Sequence, residues 1–144
     1  MPEPIVKIEN LKKYFPVRSD AIFSTSKSWV KAVDGVDLEI QPGEIIGLVG
    51  ESGCGKTTLV NTLLRLEEPT EGSISFDGID ITRMTQKKLR DLVRKNIQIV
   101  FQDPFWSLNP RMLVRDVIGE PLIVHEKMPL LELISRVEDL LETV

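Results

Sequence analysis

The chain has a single cysteine, Cys54, so no disulfide can form within it, which fits a reducing compartment. No apolar run approaches the ~18–20 residues needed to span a bilayer. The opening Met1-Pro2-Glu3-Pro4 lacks the basic and apolar regions of a signal peptide. The expected location is cytoplasmic, with any membrane association made through a protein partner. A net charge of −4 gives no general attraction for polyanions, so no nucleic-acid partner is expected. Arg83, Lys87, Lys88, Arg90, Arg94 and Lys95 do cluster, but they read as one solvated helix face. No internal repeat or low-complexity tract is visible. At 144 residues, 42% hydrophobic and 28% charged, the chain suits one globular domain with a sizeable core.

Against these absences stands one dense motif. Gly50-Glu51-Ser52-Gly53-Cys54-Gly55-Lys56-Thr57 fits G-x-x-x-x-G-K-[ST], the Walker A phosphate-binding loop. A triphosphate needs many donors at short range. Glycines at 50, 53 and 55 let the backbone approach the phosphates and turn successive N–H groups inward as an anion nest. A helix from about Lys56 adds unpaired N-terminal N–H groups and the positive end of its dipole. Lys56 supplies a mobile charge for the β and γ phosphates, and the Thr57 hydroxyl is placed to ligate Mg²⁺. ATP and Mg²⁺ are therefore the expected cofactors.

The flanks give the motif its context. The apolar run at 44–49 suits a buried parallel strand, and Leu59, Val60, Leu63 and Leu64 recur at helical spacing after the loop. Residues 5–9 and 32–40 read as half-buried strands, and 16–28 as a serine-containing loop or insertion. A turn at 69–72 leads to a short strand at 73–76. A helix is expected over 85–95, a buried strand over 97–101, an irregular proline-bearing segment over 102–112, and a partly helical segment over 114–124. From Pro129, Leu130, Ile134, Val137, Leu141 and Val144 form one helical stripe. The stripe is still running at Val144, so the expectation is a truncated domain.

Taken together, these residues resemble an ABC-transporter ATP-binding subunit. The segment Gln102-Asp103-Pro104-Phe105-Trp106-Ser107-Leu108-Asn109-Pro110-Arg111-Met112 is similar to the glutamine-loop region of the oligopeptide, dipeptide and nickel importer group. The resemblance covers essentially the whole chain and matches roughly the first half of such a subunit. It implies an α/β fold: a P-loop NTPase core with an antiparallel β subdomain over about 1–103, and the start of a helical subdomain over about 104–144. It implies that Tyr14, after the first strand, stacks on adenine, with Phe15 and Trp29 as competing aromatics. Gly50, Ser52, Gly53, Cys54, Gly55, Lys56, Thr57 and Thr58 would hold the phosphates. Thr57 and Gln102 would hold Mg²⁺, with Gln102 also positioning the attacking water. The implied partners are transmembrane permease subunits and a second ATP-binding subunit, with the chain peripheral on the inner face of the cell membrane. His125, the sole histidine, is expected to be ordinary surface.

The sequence also departs from the family. No apolar strand runs into Asp-Glu, and there is no Ser-Gly-Gly signature. General-base and partner-contact roles have no occupant among these residues, so the isolated chain is expected to bind ATP rather than hydrolyse it. Two other readings share the loop. One is a small P-loop kinase or another soluble P-loop NTPase; the other is a non-catalytic nucleotide-binding fragment. The ~50 residues ahead of the loop, and the segment from Gln102 to Met112, favour the transporter reading.

Overall fold

The computed structural model describes residues 3–17, 28–101 and 108–144. They divide into two compact units, Met1–Leu89 and Arg90–Val144. The first unit is built on a four-stranded antiparallel sheet. Strand β1 (Val6–Val17) and strand β2 (Ser28–Ile40) form its main hairpin. β3 (Glu71–Phe76) and the short β4 (Ile79–Asp80) complete the order β2-β1-β3-β4.

Alternation in β1 buries Val6 and Ile8 and turns Lys7 and Glu9 outward. Asn10 then takes a left-handed backbone (φ 47) and donates its N–H to Asp37 Oδ1 at 2.7 Å. The register shift there resets the pleat, so Leu11 is fully buried three residues after Ile8. β1 is longer than the sequence predicts because its ladder with β2 continues through such irregularities. Tyr14 therefore lies within the first strand rather than after it.

Helix α1 (Lys56–Leu63) packs on β1 and β2. It buries Leu59 and Thr62, while Val60 is exposed. The expected leucine face is thus shared with a threonine, whose hydroxyl donates to the Thr58 carbonyl at 2.7 Å. Helix α2 (Gln86–Leu92) buries Leu89.

The apolar runs at 44–49 and 97–101 are not strands here. Ile45 is 98% exposed, Val49 93% and Val100 92%. The physical reason is pairing: an apolar run becomes a strand only where a neighbouring strand takes its backbone hydrogen bonds, and no strand among the described residues pairs with either run.

The second unit holds α3 (Val114–Glu126) and α4 (Leu130–Thr143), packed on each other. Lys127, left-handed at φ 53, ends α3 and turns the chain toward Pro129. α4 buries Leu133 and Val137, whereas Leu130 and Leu141 are exposed. The predicted stripe keeps Val137 but is rotated toward Leu133. The cause is Gly119 of α3, buried against the Leu133 side chain, where an added methyl would sit 3.1 Å from Leu133 Cδ1. His125 is partly exposed in the last turn of α3.

Candidate nucleotide-binding site

The loop from Gly50 to Gly55 runs directly into α1, as the motif requires. Gly53 (φ 82) and Gly55 (φ 97) both occupy backbone conformations that side chains disfavour. Gly55 caps the helix without a side-chain hydrogen bond, and the first turn of α1 carries no acidic residue. The helix start thus offers its N–H groups and dipole to an outside anion rather than to one of its own carboxylates. Ser52, Gly53 and Cys54 are exposed, Thr57 is exposed, and Thr58 is partly exposed.

Lys56 curls back over the loop. Its Nζ donates to the Gly50 carbonyl at 2.7 Å and the Glu51 carbonyl at 2.6 Å, and lies 3.6 Å from Cys54 Sγ. An ammonium has three donors. These contacts hold the charge at the loop's centre, and a phosphate contact would exchange one or more of them for a charged acceptor.

The loop is seated on the hairpin through a bulge. Lys13 pairs with Val33 and Tyr14 with Lys31, which leaves Ala32 as the extra residue of β2. An added methyl on Gly55 would lie 2.1 Å from the Ala32 carbonyl oxygen. Only glycine allows that approach. Sequence reasoning missed this contact because nothing in the motif specifies where a bulge falls some twenty residues earlier.

Tyr14 stands opposite Lys31, the neighbour of Ala32, so it shares the hairpin on which Gly55 rests. Its N–H donates to Thr70 Oγ1 at 3.0 Å and its hydroxyl donates to Asp34 Oδ1. Lys31 Nζ lies 5.3 Å from the ring centroid and 3.1 Å from Asp34 Oδ2. The Asp34 carboxylate pushes the Tyr14 phenol above its ordinary value, and the same hydrogen bond, with Lys31, draws Asp34 below its own. The competing aromatic Phe15 carries Lys13 Nζ at 4.7 Å from its centroid, and Trp29 is half exposed. Gln102 lies outside the described residues. Among the described residues, no cluster of histidine, cysteine and acidic side chains could hold a metal. Metal binding through Thr57 would add one hydroxyl oxygen to a set drawn from the phosphates and water.

The glycine loop, the helix behind it and the hairpin beneath it define a P-loop nucleotide-binding cassette. Residues 33–144 match the family described as ABC transporter, and the chain belongs to that family. It is 51% identical over 142 residues to the oligopeptide transport ATP-binding protein AppF of Bacillus subtilis (strain 168), covering 99% of this chain and 43% of that relative. It is 44% identical over 142 residues to the glutathione import ATP-binding protein GsiA of Escherichia coli O157:H7, covering 99% of this chain and 22% of that protein. The fold matches the dimeric, post-hydrolysis ATP-binding cassette MJ0796 bound to ADP and Pi, with a TM-score of 0.77 at 28% identity over 95% of this chain and 56% of that one. The chain spans less than half the length of these curated relatives.

Proposed function

We propose that this chain binds MgATP as the nucleotide-binding portion of an ABC importer ATPase of the peptide or nickel type. Residues of about 1–103 act as core and β subdomain, and about 104–144 begin a helical subdomain. Gly50, Ser52, Gly53, Cys54, Gly55, Lys56, Thr57 and Thr58 cradle the phosphates. Thr57 ligates Mg²⁺, joined by Gln102, which also orients the water. Tyr14 stacks on adenine, which requires Lys31 to share or leave that ring face. The assembly partners are permease subunits and a second ATP-binding subunit, with the chain peripheral on the cytoplasmic side of the membrane.

The observation that carries this reading is the seating of the loop. Lys56 is centred over it, and Gly55 is packed on Ala32 in a way no other residue allows. The relatives named as peptide and glutathione import proteins support the transport setting. A small kinase is disfavoured by the hairpin ahead of the loop, which gives an adenine ring a platform. Photolabelling with 8-azido-ATP and Mg²⁺ tests the arrangement. Label on the peptide that contains Tyr14, competed by ATP, is the expected outcome; label confined to residues 108–144 would contradict it.

A further inference from the structure

Arg65 follows Leu64, the C-cap of α1, in a left-handed backbone (φ 54) with its N–H closed onto the Thr62 carbonyl. The residue is 3% exposed. Its Nε donates to the Ile81 carbonyl at 3.1 Å, while its Nη1 is buried with no hydrogen-bond partner. No carboxylate among the described residues lies within ion-pair distance of it. A guanidinium cannot shed its proton, and an unpaired buried charge is costly. The carbonyl end of α1 offsets part of that charge but gives Nη1 no acceptor.

Arg65 lines a cavity of about 430 Å³, within the range of ~300–1,000 Å³ typical of small-ligand sites. Arg83, Glu68, Glu71, Thr70 and Thr82 also line it. Glu71 is paired with Lys12 at 2.6 Å, whereas Arg83 and Glu68 have no ion-pair partner among the described residues. The walls therefore hold the buried Arg65 guanidinium, which has no carboxylate within ion-pair distance, the exposed Arg83, whose charge also acts on Asp80, and the Glu68 carboxylate, which has no ion-pair partner among the described residues. A bare cation would meet the two arginines. A multiply charged anion would meet Glu68 and Glu71.

We propose that this cavity binds a small zwitterion of amino-acid or short-peptide size. Its carboxylate lies against Arg65 and Arg83, where a planar guanidinium suits a planar acceptor. Its ammonium lies against Glu68. The site is separate from the phosphate loop, since none of residues 50–58 lines it. α1 connects the two, starting at Lys56 and delivering Arg65 at its other end.

The test is calorimetry and ligand-observed NMR on the whole chain with glycylglycine, acetate, methylamine and inorganic phosphate. Glycylglycine should bind at least about tenfold more tightly than acetate or methylamine, because only it meets both charges. Arg83 and Glu68 are exposed, so their variants should fold where Arg65→Gln could fail to. Arg83→Gln should weaken glycylglycine about tenfold. Glu68→Gln should weaken glycylglycine but not acetate, and both variants should bind MgATP as the wild type does. The proposal is overturned if phosphate binds best, if glycylglycine binds no better than acetate, or if neither variant changes its affinity. MgATP affinity in the same samples reports separately on the nucleotide site.

Discussion

A methyl group on Gly55 would sit 2.1 Å from the Ala32 carbonyl, at a backbone φ of 97 that favours glycine. Gly55→Ala must therefore shift the loop off the hairpin. The expected cost is roughly 1–3 kcal/mol of stability, read from denaturant unfolding, together with loss of MgATP binding. A variant as stable as the wild type would refute the seating. The loop itself was legible in the sequence because its parts are contiguous. Ala32, Asp34 and Lys31 were not, because their roles depend on the register between β1 and β2. Tyr14 is the sole tyrosine, so absorbance titration near 295 nm reports it alone. With Asp34 intact it should titrate above 10.0, and Asp34→Asn should bring it down. Because the folded phenol is raised, its contribution to stability is complete below the ordinary tyrosine value. That contribution is lost as pH rises through the folded one. An Asp34→Asn protein with an unchanged titration would show that the hydrogen bond is not the cause.

The elements divide by how local their determinants are. The second hairpin strand, α1, α3 and α4 follow from alternation and helical spacing to within a few residues, whereas β1 runs eight residues beyond the 5–9 that alternation alone marks, because its ladder with β2 continues through register shifts. The runs at 44–49 and 97–101 were foreseen as strands, but their composition describes only the buried setting they suit, not the presence of a neighbour to pair with. In α4, leucines at 130, 131, 133, 140 and 141 offer two faces, and the small Gly119 decides between them. That choice sets a prediction. Leu133→Ala should destabilise the α3–α4 pair by about 2–5 kcal/mol, followed by helical circular dichroism in denaturant. Leu130→Ala, at a 64% exposed position, should cost little. Equal costs would restore the stripe expected from spacing alone.

At the scale of the whole molecule, the unpaired runs leave Ile45, Val49, Val100 and Phe101 exposed. Large exposed apolar surfaces drive association. The isolated chain should bind a hydrophobic dye and self-associate at micromolar concentration in light scattering. A clean monomer that ignores the dye would mean these runs are covered. On the proposed reading the 50–58 loop binds nucleotide through Lys56, whose charge is already held over the loop by two carbonyls. Charge-assisted contacts to phosphate are worth ~1.5–3 kcal/mol each, so losing one lowers affinity about tenfold or more. Calorimetric titration of MgATP into the wild-type chain and into Lys56→Ala is the most direct measurement. Saturable binding that weakens at least about tenfold in the variant is the expected result; equal affinity in the two proteins would contradict the account.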